Sequence, residues 1–286
     1  MKFDVVIGNP PYNKDLYLHF VNMGNNLARV CSLSITPAKW QAKGGNDNDN
    51  FRQNIVPYMK KIVYYPYCKD VFDIWEASGV CYYIIDKNEK HPIKDIENIC
   101  STQKYFNSKT KRTLGDDFTL LNICDEVIKK INIQEKFFNK TYSEVSRYQI
   151  WMNDKPSGGL LFSLNKGSLL VLEPAVFVDT ASQCEFEKTT ISKLIYSSNS
   201  KEEALSFLSW VNTKFIRFLI LARACVVTGI LNEYCWNFVP EPIEFDHIFT
   251  DEELYKQYGL TDNEINSIES IIRDRKGYEE IVWKTL

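Results

Sequence analysis

Residues 3–12 read Phe3-Asp4-Val5-Val6-Ile7-Gly8-Asn9-Pro10-Pro11-Tyr12, an apolar run that leads directly into a proline-rich corner. The run is typical of a buried strand, because its apolar side chains follow one another without the alternation of a half-exposed strand. In an open α/β sheet, ligands bind beyond the carboxyl ends of such strands. The sequence therefore predicts a buried strand near 3–8 that delivers the next four residues to a ligand-binding edge.

The tetrad that follows the strand has the groups needed to hold a planar amine. Two consecutive prolines have fixed φ angles and no N–H, so the turn is stiff and its carbonyls are free to accept hydrogen bonds. The Asn9 amide oxygen and the Pro10 carbonyl can together accept both hydrogens of an exocyclic NH2 group. Tyr12 offers a face on which an unpaired base can stack, a contact worth about 1–3 kcal/mol. The alternative is a turn that only ends the strand, because Asn-Pro dipeptides commonly begin turns.

The decapeptide resembles the catalytic motif of amino-methyltransferases, chiefly the DNA adenine-N6 methyltransferases of restriction-modification systems. The resemblance continues in the family's order through Leu16–Val21, Ser34–Trp40, Lys61–Tyr65, Asp70–Asp73 and Gly79–Asp86, and Trp236–Pro242 is similar to the end of the target-recognition region in type IIG-like enzymes. It implies that Asn9, Pro10, Pro11 and Tyr12 are catalytic and that S-adenosylmethionine is the methyl donor. It also makes Phe72 a candidate for packing on a flipped base.

The family's cofactor-binding turn is missing from this sequence. S-adenosylmethionine is bound there by a glycine-rich turn after the first strand, followed by an acidic residue that binds the ribose. None of the 12 glycines lies two positions from another, so the sequence has no Gly-x-Gly. Only two residues precede the strand at 3–8, so we expect the first strands of a standard methyltransferase sheet to lie elsewhere. The chain then resembles the rear portion of a longer enzyme, or one half of a split enzyme that works with a separate cofactor-binding half or a restriction subunit.

Length and composition predict a globular protein of about two domains, since the 286 residues are 44% hydrophobic and 25% charged;. The eight cysteines include no Cys-x-x-Cys pair and the three histidines are scattered. We therefore expect no metal site and reduced thiols in the cytoplasm. The N-terminus has no signal-peptide pattern. The longest apolar stretch, Phe215 to Leu231, is interrupted by Arg217 and Arg223 and is shorter than a membrane span;.

The charge distribution bears on nucleic-acid binding. A net charge of −3 argues mildly against it, because phosphate contacts require Lys and Arg;. The excess of acids, however, lies after residue 250, and residues 98–114 contain no acid at all. We predict a loop there, with Lys104, Lys109, Lys111 and Arg112 as DNA-binding candidates. A solvated basic loop without a partner is an equally open alternative.

Residues 1–100 are predicted to be the catalytic-loop half of a methyltransferase α/β domain. Strand and helix patterns alternate there, with strands near 3–8, 30–35, 61–66 and 79–86 and helices near 15–28 and 49–59;. The polar run 46–50 is predicted to be a loop that caps the second helix.

Residues 101–249 are predicted to be a target-recognition and DNA-binding region, and residues 250–286 a pair of acidic C-terminal helices. The patterns of the middle region are an amphipathic helix near 120–131, short β-like runs at 160–164 and 169–172, and helices near 201–212 and 214–223. Thr250 and Thr261 each precede a glutamate by three residues, which is the capping-box spacing of a helix start;.

The predicted fold class is therefore α/β, a partial Rossmann-like methyltransferase sheet followed by a mixed α+β target-recognition region. The resemblance implies methylation of a flipped adenine in double-stranded DNA. Asn9 favours adenine, because cytosine-N4 enzymes more often begin the tetrad with Ser. Three alternatives stay open: a noncatalytic DNA-specificity module, one half of a split methyltransferase, and an enzyme that methylates protein glutamine or RNA, since Asn-Pro-Pro-Tyr also occurs in those families.

Overall fold

A computed structural model describes residues 2–41, 44–74, 76, 78–102, 104–115, 118–131, 137, 142–153, 176–181, 192–227 and 236–272. The chain divides into two compact units, one formed by Met1–Glu126 with Cys225–Thr228 and the other by Val127–Ala224 with Gly229–Leu286. The three-region division made from the sequence stays a prediction.

The first unit is built on a six-stranded mixed sheet with the order β1-β2-β4-β3-β5-β6. The strands are β1 (Phe3–Gly8), β2 (Ala28–Pro37), β3 (Met59–Tyr65), β4 (Val80–Asp86), β5 (Ile93–Asn98) and β6 (Ser108–Thr113). β1 is parallel to β2 and β3 is parallel to β5, whereas β4 and β6 are antiparallel to their neighbours. The carboxyl ends of β1, β2, β3 and β5 therefore lie at one edge of the sheet, which we call the upper edge.

Helices α1 (Leu16–Leu27), α2 (Asn46–Asn54) and α3 (Asn122–Lys129) accompany this sheet. α1 connects β1 to the parallel β2 and buries Tyr17, Leu18 and Val21. The strands predicted near 3–8, 30–35, 61–66 and 79–86 and the helix near 15–28 are confirmed.

The loop predicted at 46–50 is wrong, because these residues form the first turns of α2. Asp47 and Asp49 lie in the first turn, where a negative charge stabilises the positive end of the helix dipole;. Phe51 is fully buried and fixes the helix against Trp40, with the ring centroids 5.4 Å apart. A run of Asn and Asp was therefore mistaken for a loop although its acids suit a helix start.

The loop predicted at 98–114 is wrong for residues 108–113, which form β6, whereas Lys104 lies in the turn that joins β5 to β6. β6 pairs with β5 over its whole length, from Ile93↔Thr113 to Asn98↔Ser108. Lys109 lies 3.9 Å from Glu97 and Lys111 lies 3.7 Å from Asp95 across the two strands. The basic residues resembled a solvated loop only because their acidic partners are contributed by a neighbouring strand.

The second unit contains a three-stranded antiparallel sheet with the order β8-β7-β9. Its elements are β7 (Tyr148–Asn153), β8 (Val176–Asp179), β9 (Ser192–Ser198), α4 (Lys201–Asn212), α5 (Lys214–Val227, of which residues 214–224 belong to this unit), α6 (Asp251–Gln257) and α7 (Asp262–Ile271). The helices predicted near 201–212 and 214–223 are confirmed. The β-like runs at 160–164 and 169–172 lie outside the described residues.

The two acidic C-terminal helices begin where the sequence places them. Thr250 accepts a hydrogen bond from the backbone N–H of Glu253, and Thr261 forms a complete capping box with Glu264. The core of the second unit is aromatic, with the rings of Tyr196 and Phe207 stacked at 4.2 Å. Among the described helices, none has both the length and the apolar character of a membrane span. The α/β class predicted from the sequence is confirmed.

Candidate active site at the upper edge of the first sheet

The tetrad Asn9–Tyr12 lies at the upper edge, directly after β1. Pro10 is buried and Asn9 is exposed, so the corner is anchored while the amide remains accessible. Space beside the corner is open, since a Cβ added to Gly8 would meet no atom within 4 Å. A ligand can therefore reach Asn9 at the position where ligands bind in α/β sheets.

Tyr12 points its phenol oxygen into the protein. The oxygen is buried and has no hydrogen-bond partner among the described residues, and the same is true of the Tyr17 hydroxyl in the first turn of α1. Burial raises the pKa of both phenols well above the usual value, and the nearby Cys81 and Glu76 raise it further. A buried hydroxyl without a partner costs about 1–3 kcal/mol, so both phenols destabilise the corner.

Phe72 lies beside Tyr12 although sixty residues separate them in the chain. Their ring centroids are 6.3 Å apart with an interplanar angle of 79°, an edge-to-face contact;. The loop that carries Phe72 joins β3 to β4 at the upper edge and is held by Cys68, whose carbonyl accepts from the Phe72 N–H at 2.9 Å. The Cys68 Sγ also donates a hydrogen bond to the Ile74 carbonyl, at 2.9 Å. The structure thus brings the base-stacking candidate to the tetrad.

Two backbone features fix the loops around the corner. Lys14 adopts a φ of 51°, which is unusual for a residue with a side chain and which turns the chain from the tetrad into α1;. Gly79 has a φ of 67°, and an added Cβ would lie 2.4 Å from the Tyr65 carbonyl oxygen. Its own carbonyl accepts from the Ala38 N–H at 3.1 Å. The sequence pattern predicted Gly79 as the first residue of a strand, whereas it forms the turn before β4, which begins at Val80;.

The four basic candidates are found in three different environments. Lys104 is exposed at the upper edge, in the turn between β5 and β6, and forms no ion pair with any described residue. β5 is four strands from β1, which is roughly 19 Å at the usual strand spacing;. Lys109 and Lys111 are exposed but face the acids of β5. The fourth candidate differs from the expectation of an exposed loop: Arg112 is buried, and its guanidinium lies 2.8 Å from the carboxylate of Asp125.

β1 itself is exposed, contrary to the prediction of a buried strand. It is the outermost strand of its sheet and pairs with no described strand except β2. α1 covers one face through Val6, but on the other face Phe3 is 44%, Val5 is 52% and Ile7 is 75% exposed. The prediction was wrong because an apolar sequence indicates that a strand is suited to burial, but does not show whether a second neighbouring strand is present to bury it.

α1 carries a second exposed apolar patch, on the face of the sheet that it covers. Its exposed large apolar side chains are Leu16, Phe20, Met23 and Leu27, which follow one another at spacings of four, three and four residues. That spacing places them on one face of the helix. Phe3, Val5 and Ile7 lie on the opposite face of the sheet, so exposed apolar residues flank the open edge of β1 on both sides. We call the two patches together the β1–α1 surface.

A cavity of about 810 Å³ lies at the opposite edge of this sheet, at the amino ends of β3 and β5. Arg52, Lys90 and Lys94 are among its lining residues. The side chains of Asp86, Glu89 and His91 approach within 4.8 Å of one another, and the His91 Nε2 lies 3.3 Å from Asp86. Because the cavity and this group lie across the sheet from Asn9, neither belongs to the candidate active site.

The residues present do not fit a binding loop for S-adenosylmethionine. Such a loop needs closely spaced glycines beside the ligand and an acidic residue on the next strand, and the sequence has no Gly-x-Gly. Gly8 is the only glycine of the described corner 8–15. We therefore assign no residue of this chain to the cofactor.

No protein-family model matches the chain. It is 28% identical over 168 residues to a Mycoplasma pneumoniae protein described as an uncharacterized adenine-specific methylase. This match covers 54% of the present chain and 36% of that protein, so the chain spans about a third of the length of the curated relative that it matches.

Two solved structures show low similarity. One is a modification subunit of a putative type I restriction enzyme from Vibrio vulnificus YJ016, with 12% identity and a TM-score of 0.29 over 34% of this chain and 25% of that one. The other is a type I restriction-modification methyltransferase subunit from Streptococcus thermophilus, with 15% identity and a TM-score of 0.28 over 40% and 29%. Scores this low carry no argument about the fold or the activity.

Proposed function

We propose that this chain is the target-holding part of a site-specific DNA adenine-N6 methyltransferase of a restriction-modification system. The observation that carries the proposal is the exposed Asn9 amide at the carboxyl end of β1, beside the rings of Tyr12 and Phe72. The similarity to a protein described as an adenine-specific methylase supports the same reaction class.

In this proposal the target adenine leaves the duplex, at a cost of a few kcal/mol, and enters the space beside the tetrad. Its exocyclic amine donates one hydrogen to the Asn9 Oδ1 and the other to the Pro10 carbonyl, while the base packs against Tyr12 and Phe72. These contacts would leave the lone pair of the amine nitrogen free to take up a methyl group. The methyl–sulfur bond of the donor would break as the N–C bond forms, and the surplus proton of the amine would pass to water. Tyr12 stays protonated at neutral pH because its pKa is raised by burial, so it acts as a hydrogen-bond donor and not as a base.

S-adenosylmethionine supplies the methyl group in this reaction class. Because the sequence has no Gly-x-Gly turn for this cofactor, we infer that a cofactor-binding half outside these 286 residues holds it. Calorimetry with this chain alone is expected to show no binding of S-adenosylmethionine at micromolar concentrations. Micromolar affinity would contradict that assignment.

Double-stranded DNA is the proposed partner at the upper edge. Lys104 is the basic candidate whose placement suits a phosphate, since it is exposed at the same edge as Asn9 and forms no ion pair with a described residue;. Lys109 and Lys111 could exchange their acidic neighbours, 3.7–3.9 Å away, for a phosphate. Arg112 is proposed to have a structural role, because Asp125 already holds its charge inside the protein.

The direct test is Asn9→Ala, assayed with this chain combined with the polypeptide encoded directly upstream of residue 1. We expect transfer of labelled methyl groups to DNA to be lost while DNA affinity stays unchanged, because Asn9 contacts only the flipped base. Asn13→Ala is the matched control, since Asn13 is an exposed asparagine in the same loop, and it is expected to leave transfer unchanged.

Near-normal turnover by the Asn9→Ala variant would contradict the assigned role. DNA binding without methylation by the wild-type pair would instead favour the noncatalytic specificity module.

A further inference from the structure

The sequence of β1 is that of an interior strand, although the strand lies at an edge. Strands that are buried on both faces have near-continuous apolar runs, as Val5, Val6 and Ile7 do;. Natural edge strands are instead protected by lysines, prolines or inward-pointing charges. Apart from an irregularity at Asp4, β1 pairs regularly with β2 and offers an open hydrogen-bonding edge on its other side.

α1 lacks the charges of an ordinary surface helix. Its twelve residues contain no Asp, Glu, Lys or Arg, and four large apolar side chains are exposed along one face. Depletion of charge together with exposed apolar residues is typical of the core of a protein interface. Eight of the large hydrophobic residues that are exposed lie between Phe3 and Val30. The exposed apolar area is therefore concentrated on both sides of the β1 edge, next to the tetrad.

The polarity of β1 indicates what covers this surface. A strand added parallel to β1, as β2 is, would end at the upper edge and place its following loop next to Asn9. Loops at that position bind ligands in parallel sheets. A second copy of this chain, related by a two-fold axis, would pair antiparallel and place the amino end of its β1 there. Only a parallel partner strand brings a ligand-binding loop to the tetrad.

We propose that the β1–α1 surface docks an α/β polypeptide that adds a parallel strand to β1, packs on the apolar face of α1 and carries the S-adenosylmethionine-binding loop beside Asn9. This inference rests on the proposed function, because the nature of the bound ligand follows from the reaction at the tetrad. It adds the surface through which the methyl donor reaches the target.

The test uses the full chain and, as the probe, the polypeptide encoded directly upstream of residue 1, expressed separately. Calorimetry is expected to show a one-to-one complex. Ile7→Lys in β1 and Phe20→Glu in α1 are each expected to weaken the complex about tenfold or more, the loss typical of a central interface residue. Val145→Glu is the control, since Val145 is 93% exposed in the second unit and should have no effect. Circular dichroism of each free variant should match the wild type.

The outcomes separate docking from function. Failure of the upstream polypeptide to bind, or equal binding by all variants, would overturn the docking proposal. So would a wild-type dimer in sedimentation equilibrium that Ile7→Lys and Phe20→Glu convert to monomers. A complex that is weakened as expected but transfers no methyl group would support the docking and contradict the proposed function. Methyl transfer that is insensitive to both substitutions would support the proposed function and contradict the docking.

Discussion

The two outer strands of the six-stranded sheet differ in a way that indicates where the sheet ends. β6 carries Lys109 and Lys111 on its exposed face, and both lie near acids of β5. This is how natural edge strands avoid further pairing. β1 exposes Phe3, Val5 and Ile7 and has no such protection. The comparison teaches that the β6 edge is a finished boundary, whereas the β1 edge is built for another strand.

The inner face of β6 strengthens this contrast, because its side chains form hydrogen bonds with Asn122 at the start of α3. Asn122 accepts from the Arg112 Nε at 3.3 Å and donates to the Ser108 Oγ at 3.0 Å. Its backbone N–H donates to the Asn98 side chain at 2.7 Å. β6 is thus held from within by polar groups that are satisfied locally, whereas β1 has apolar groups without cover among the described residues.

The largest effect is expected at the buried ion pair behind β6. Arg112→Met should lower the free energy of unfolding by about 3–5 kcal/mol, because it leaves the Asp125 carboxylate buried without its cation. Urea unfolding measures the loss, and Lys111→Met on the same strand is the control, with a change of about 0.5 kcal/mol or less. If Arg112→Met left stability unchanged and instead lowered DNA affinity, Arg112 would be a phosphate contact.

An isoleucine in the edge strand β1 and one in the interior strand β3 allow the burial of the two strands to be compared. Ile62 in β3 is fully buried, so Ile62→Ala should cost about 2–5 kcal/mol of stability;. Ile7→Ala should change the stability of the free chain by about 0.5 kcal/mol or less, because the side chain is already exposed to solvent. Thermal or urea unfolding of both variants measures the difference. Equal losses would mean that β1 is buried in solution.

Lys104 tests whether DNA reaches the β6 side of the upper edge. Lys104→Ala should weaken binding of all DNA sequences to a similar extent and reduce the slope of log affinity against log salt by about one, as expected for one lost phosphate contact. Fluorescence anisotropy over a range of salt concentrations measures both quantities, with exposed Lys2 as the matched position for a control lysine substitution. An unchanged slope would place the DNA elsewhere.

The smallest effect is expected at the acids that face β6. Glu97 lies 3.6 Å from Lys61 and 3.9 Å from Lys109, so Glu97→Gln should cost about 0.2–1 kcal/mol, since such exposed pairs are screened by water and salt;. The loss should shrink at high salt. A loss that is independent of salt would show that packing, and not charge, protects this edge.

Most of the first sheet could be predicted from local pattern. β1 to β4 and α1 follow from apolar runs and their boundaries, and the helices after Thr250 and Thr261 follow from capping groups that act within four residues. β5 and β6 could not be predicted, because their alternating charges are neutralised only after the two strands pair. Neither segment, taken alone, shows that the other will pair with it.

The candidate site likewise has one part that could be predicted from adjacent residues and another that depends on contacts between distant segments. The corner Asn9–Tyr12 is visible in the sequence because its chemistry lies in four adjacent residues. The contact of Phe72 with Tyr12 depends on two loops meeting at one edge, and the burial of Arg112 depends on a helix that follows its strand. The wrong prediction for β1 is the most informative, since its sequence matches an environment that the described residues do not supply.

Amide hydrogen exchange tests the central contrast between the two edges most directly. In the free chain, the outward-facing amides of β1 and of β6 are both expected to exchange rapidly. When the polypeptide encoded upstream is added, the β1 amides should slow by about two orders of magnitude or more, and those of β6 should not change. Slow exchange of the β1 amides in the free chain, or equal rates with and without the added polypeptide, would contradict the account.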